Sequence, residues 1–447
     1  MENIEMKTLD RKTLLAIGIG CVVGAGVVSL VGQAIGLTGY SAYIAYALAV
    51  IMGLIYNLPI IFASGAIKMD GGPYALISTI LGKKFAGMYV VSFFLYFPTI
   101  SIYGVALGKY VNSLLPNVSV KTVAIVVLTV FYIINLRGID FLAKAQNIMT
   151  TLLIVGLATF ALMGMNKLNM DHLLNYSSPE FFTNGSKGIL NAICVLMFST
   201  TGQYYVVFFT RFAKNPKKDM PFAILGTTIV TFFLYVAVTV VAAGVLPLEV
   251  VQNQPLTYVA QEILSKPLFI FFMICAPFMA LATTINGCFA AYVEPIFNAT
   301  KDGWFPEKLG KTNKKGNPWI ILTILWLASM LPIILNWDIN TIANTYVLVD
   351  LTLGVLMITS VSKLPKLYPN AWNKREFGKN ISNKVFGIII IMAYIVQAII
   401  IANSLTSIKL YIVITTILAF GIGIFYSIKK EKDDSIKIPI LEINDED

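Results

Sequence analysis

The chain has 447 residues, of which 57% are hydrophobic and 13% charged, and its formal net charge is +10. A soluble protein of that balance would lack the polar groups needed to cover its apolar surface, so a water-soluble globular class is excluded and a bilayer is the natural solvent. The cations lie between apolar runs and not in one patch, which removes the reason to invoke nucleic acid as a partner.

The opening MENIEMKTLDRK is polar, and the long apolar run after it has no A-x-A cleavage site, so a retained first span is expected. Apolar runs of about 18 residues or more then recur along nearly the whole sequence. They predict an all-α integral membrane protein with spans near 14–37, 40–67, 85–111, 122–136, 148–165, 189–212, 221–246, 267–293, 319–335, 339–361, 385–403 and 410–428. With both termini on the cytoplasmic side, all but six of the 33 cations fall in cytoplasmic loops, the exceptions being Lys109, Lys121, Lys167, Lys187, Lys266 and Lys409. That positive-inside bias sets the expected orientation and accounts for most of the basic charge. The four cysteines, Cys21, Cys194, Cys275 and Cys288, sit in apolar stretches without metal-ligand spacing and read as small buried residues.

Two spans in corresponding positions carry the same kind of interruption: GIGCVVGAG at 18–26 in the first, and FSTTG at 198–202 in the sixth. An offset of five spans places the two helices in opposite orientation, as an inverted repeat of five plus five helices requires. Residues 1–13 then form a cytoplasmic N-terminus, 14–165 the first repeat, 166–188 an extracellular loop and 189–361 the second repeat. Residues 362–384 form a cytoplasmic loop, 385–428 two additional helices, and 429–447 a cytoplasmic tail that turns acidic at NDED.

Free backbone groups at the membrane midplane are tolerable only where they bind something or line a cavity. A half-helix N-terminus offers unpaired N–H groups to a carboxylate, and exposed carbonyls accept from an ammonium, so a zwitterion suits such breaks. The sequence assigns the N–H groups of Ala25 and Gly26 to the carboxylate and the carbonyls of Val22, Phe198 and Thr201 to the amine, with Gly24 and Gly202 also counted as substrate-binding. The competing reading is that small residues such as Gly20 and Gly24 merely let helices pack closely; the paired occurrence favours a site. Asp350 lies about eleven residues into a predicted span, where a carboxylate is costly and usually functional. It either carries a proton, faces a cationic substrate, or stays neutral and bonded to Thr345, Tyr346 or another helix. The sole histidine, His172, falls among polar loop residues and is expected to be solvated.

With these breaks, four pieces of sequence resemble the amino acid, polyamine and organocation (APC) superfamily of transporters: GIGCVVGAG with the following GLTGYSAYIAYAL, MDGGPY at 69–74, GQYYVVFFTRFAKNPKKDMPFAI at 202–224, and TTINGCFAAYVEPIFNATKDGWFP at 283–306. The resemblance implies a LeuT-type fold, alternating access around a midplane site, and an amino acid permease of the cell membrane that has no cofactor. Phe198 would be the aromatic gate, and Cys288 stands where some members have a bulky aromatic, leaving a roomier pocket. Related folds place sodium between hydroxyls such as those of Thr283 and Thr284 and carbonyls such as those of Gly20 and Val23; the coupling ion is either Na+ or H+, unless transport is by exchange. Two positions depart from the family pattern: Glu294 replaces an arginine and Leu153 a lysine found in several members. Alternatives are a polyamine or other organic-cation transporter, a channel, and a membrane-embedded transferase. The last would need positioned acid, base or metal groups near the surface, and the sequence offers one histidine and no clustered acidic loop.

Overall fold

Hydrocarbon leaves no partner for open main-chain groups, so apolar runs wind into helix. The computed structural model describes residues 8–200, 202–431 and 436–437, with Ala25, Asn340, Ser407 and Glu431 as backbone only, and no strand occurs among them. Helix α1 (Arg11–Val22) starts on Asp10, whose side chain accepts from the Thr13 N–H at 2.9 Å. Hydrogen bonds from the Thr13 side chain and backbone hold the Asp10 carboxyl below the ordinary carboxylate range. After Val23 and Gly24 the chain restarts as α2 (Ala25–Thr38), and a 3₁₀ turn at Gly39–Ser41 leads into α3 (Ala42–Ala66).

Then follow α4 (Lys83–Leu114), α5 (Val120–Leu136), α6 (Ile139–Met165) and α7 (Gly185–Met197). A 3₁₀ segment over Gly202–Phe212 joins α7 to α8 (Pro216–Gly244). The remaining helices are α9 (Lys266–Lys301), α10 (Trp319–Ile334), α11 (Ile339–Leu367), α12 (Asn383–Ser407) and α13 (Leu410–Glu431). Proline marks where two of them loosen: Pro98 lies in a 3₁₀ stretch of α4, Phe94–Thr99, and Pro277 in a π turn of α9, Ile274–Phe278. Each lacks the N–H that would bond four residues back, and its ring crowds that carbonyl.

Among the described residues, nine helical stretches are long and apolar enough to cross a membrane, and the first of them, Gly26–Ala66, contains both α2 and α3. The shorter α5, of 17 residues, is about 26 Å long against about 30 Å of hydrocarbon. Side chains such as Ile422 and Phe425 on α13, 64% and 71% exposed, form an apolar exterior that a soluble protein would bury.

The arrangement places α1 against α6, α8 and α9, with α3 along α8. Helices α12 and α13 lie outside this core, on α3 and on α4 respectively. On the face of the cation-rich loops, Leu9 bridges to Ala213 and Arg11 Nε lies 2.5 Å from Asp219. There too Glu294, 3% exposed, meets Arg211 Nε at 2.8 Å, with the guanidinium between the Phe212 and Phe297 rings at 4.4 and 4.7 Å. The acid that departs from the family pattern is therefore matched by a cation across the core. His172 is not simply solvated: its ring stacks on Tyr40 at 4.4 Å.

Candidate functional site

The two interruptions read from the sequence are breaks in the structure. Val23 N–H still bonds the Ile19 carbonyl at 2.7 Å, but Gly24 N–H turns back to Val22 O at 2.9 Å, and α2 starts afresh at Ala25. The N–H groups of Ala25 and Gly26 thus belong to a first turn and have no partner within α2. In the second break Phe198, Ser199 and Thr200 bond three residues back, to Val195, Leu196 and Met197, at 3.3, 3.0 and 3.0 Å. Thr201 lies outside the described residues, and the chain resumes as 3₁₀ at Gly202.

The breaks pack closely against each other. A Cβ on Gly26 would fall 2.4 Å from Ser199 Cβ, so glycine at 26 is a packing requirement between the two helices. A Cβ on Gly202 would lie 3.4 Å from Cys21 O, an ordinary contact. Two tyrosines that the sequence did not single out bind the breaks together. The Tyr235 hydroxyl on α8 lies 3.1 Å from Val22 O and 3.2 Å from Ser199 O, and Tyr46 on α3 bonds Ser199 Oγ at 2.8 Å with its ring 4.6 Å from that of Tyr235. Their only sequence signal is a hydroxyl-bearing ring within a long apolar run.

Between the breaks is a cavity of about 140 Å³. Of the predicted residues it brings together Val22, Gly24, Gly26, Phe198, Gly202, Thr284 and Asp350 as lining. Phe198, 49% exposed, stands at the cavity wall. Cys288 is buried and does not line the cavity, nor do Gly20, Val23 and Thr283. The Val22 carbonyl, expected to take the amine, accepts from Gly24 N–H and shares the single Tyr235 hydroxyl hydrogen with Ser199 O.

Thr283 Oγ1 donates to Met279 O at 2.8 Å and Ala280 O at 3.0 Å within its own helix, the back-bonding that threonine commonly makes. Thr284 Oγ1 donates to Ala280 O at 2.9 Å and across to Gly20 O at 3.0 Å. That second bond ties α9 directly to the carbonyl that would ligate sodium. Leu153, on α6, is fully buried. Asp350 bonds neither Thr345 nor Tyr346; its Oδ1 accepts from the Tyr96 hydroxyl of α4 at 2.9 Å and from the Tyr204 hydroxyl at 3.0 Å. Beside it the Tyr205 and Tyr346 hydroxyls are hydrogen-bonded to each other.

The chain is similar in sequence to known proteins. A sequence profile described as "Amino acid permease" matches residues 9–428. The chain is 22% identical over 349 residues to the branched-chain amino acid permease of Lactococcus lactis, covering 70% of this chain and 72% of that one. It is 23% identical over 330 residues to the methylthioribose transporter of Bacillus subtilis, covering 69% and 70%. It is 26% identical over 272 residues to the chloroplastic cationic amino acid transporter 6 of Arabidopsis thaliana, covering 56% and 46%.

Proposed function

Because the chain belongs to the amino acid permease family, we propose that it is a secondary active transporter that carries amino acids across the cytoplasmic membrane by alternating access. The observation that carries this reading is the pair of helix breaks facing one cavity. In this reading the first-turn N–H groups of α2 at Ala25 and Gly26 take the substrate carboxylate, and the carbonyls of Val22, Phe198 and Thr201 take its amine. In this reading the chain has twelve spans, both termini in the cytoplasm and a five-plus-five inverted repeat, with Phe198 as the ring that closes over the bound substrate.

In the same reading three contacts on the face of the cation-rich loops, the Leu9–Ala213 bridge and the Arg11–Asp219 and Arg211–Glu294 pairs, close the cytoplasmic exit. Coupling is by a proton or by exchange of one amino acid for another. A sodium ion at Gly20, Val23, Thr283 and Thr284 would have to break the Thr284–Gly20 bond. The names of the relatives span branched-chain, cationic and sulfur-containing substrates, so the side-chain pocket and not the family sets the choice. The test is uptake of labelled amino acids by proteoliposomes of the purified protein, with sodium gradients, proton gradients and internal amino acid imposed separately. Accumulation of at least one amino acid above protein-free vesicles is expected; none from a full panel refutes the reading.

A further inference from the structure

From the cavity wall around Asp350 we infer that the substrate side chain carries a positive charge: the protein takes amino acids of the lysine and ornithine type, and Asp350 receives their terminal ammonium. The inference rests on the transport reading above and adds the substrate class to it.

Three observations converge. First, Asp350 lines the same cavity as the helix breaks, so one extended molecule can touch both. Second, Asp350 Oδ1 accepts two phenolic hydroxyls, from Tyr96 at 2.9 Å and Tyr204 at 3.0 Å, arriving from different elements. The two hydroxyls hold Oδ1 from both elements and leave the hydrogen-bonding capacity of the other carboxyl oxygen to a ligand. Third, among the described residues the cavity wall contains no lysine, arginine or histidine, and four tyrosines, Tyr56, Tyr103, Tyr205 and Tyr346, share it with apolar side chains such as Met197 and Leu351. The faces of such rings attract cations. An acid at this depth, surrounded by electron-rich rings and lacking a cationic partner on the wall, is complementary to a ligand cation. A substrate with an acidic side chain would meet like charge, and one with an aliphatic side chain would leave the carboxylate without a counter-charge.

Lysine and norleucine differ only in the terminal amine and so isolate this contact. In proteoliposomes, wild-type protein is expected to favour lysine over norleucine by at least tenfold in kcat/KM, with ornithine and not glutamate competing. Asp350→Asn, which keeps the size and the acceptor for Tyr96 and Tyr204, should reduce that lysine-to-norleucine ratio at least tenfold. Tyr204→Phe, which removes one of the two fixing donors, should reduce it by a smaller factor. For any variant too slow to assay, equilibrium binding of labelled lysine to the purified protein, displaced by norleucine, reads the same ratio. An unchanged ratio in Asp350→Asn, or a wild-type preference for norleucine, overturns the inference. A ratio that stays high while Asp350→Asn loses the pH dependence of uptake identifies a proton carrier and also overturns it. Absence of uptake for every amino acid tried fails the transport reading itself, which separates the two.

Discussion

Adding a single methyl at each of two glycines separates a binding site from a packing contact. At Gly26 the new Cβ would lie 2.4 Å from Ser199 Cβ and 3.3 Å from Ser199 Cα, so a backbone must move. Overpacking of that kind costs about 1–3 kcal/mol. At Gly202 the nearest atoms are Cys21 O at 3.4 Å and a Val22 methyl at 3.7 Å, ordinary contacts. There the loss of glycine's backbone freedom adds roughly 0.5–1 kcal/mol of stability, while the methyl enters a cavity of about 140 Å³ beside the breaks. Gly202→Ala should therefore keep or raise the apparent melting temperature in detergent and weaken amino acid binding by about tenfold, or about 1.4 kcal/mol. Gly26→Ala should lower the melting temperature before any effect on binding can be read. Both are measured by thermal unfolding with and without the amino acid that wild-type protein transports. Full affinity in Gly202→Ala would remove the cavity between the breaks as the substrate site.

Other expectations follow from single contacts. Arg211→Ala leaves Glu294 buried without its counter-charge and should destabilise the protein by about 3–5 kcal/mol, whereas the paired change Arg211→Leu with Glu294→Leu should recover most of it in the same unfolding assay. Asp302, at the end of α9, has its pKa raised to about 6 by burial, against a hydrogen bond from the Tyr74 hydroxyl at 2.6 Å that lowers it. The folded state therefore binds a proton that the unfolded state has released, and stability should rise as pH falls through 6 and level off below about 4. The difference between wild type and Asp302→Asn isolates this group, and parallel pH curves would contradict it. Because Thr284 Oγ1 donates to Gly20 O and Thr283 to its own helix, uptake should survive replacement of sodium by choline; a strict sodium requirement that Thr284→Ala shifts to higher concentration would restore the ion site.

The sequence discloses those parts of the site that break a local rule. Glycines inside an apolar run and an acid at mid-span contradict helix and hydrocarbon, so the two breaks and Asp350 can be found without coordinates. Partners contributed by distant segments cannot. Arg211 lies 83 positions before Glu294, and nothing local joins them. Tyr46 and Tyr235 look like any ring in a span until the fold brings their hydroxyls to Ser199 and Val22. Cys288 shows how a helical face misleads. It shares a face with Thr284, but one turn farther along, about 6 Å, it is already behind the wall that Thr284 lines.

The most direct test of the account is an experimental density map of the protein with its transported amino acid bound in a lipid nanodisc. The account predicts ligand density in the cavity between the breaks, with the carboxylate at the N–H groups of Ala25 and Gly26 and the side chain directed to Asp350. Density elsewhere, or a ligand whose carboxylate faces away from the start of α2, would contradict it.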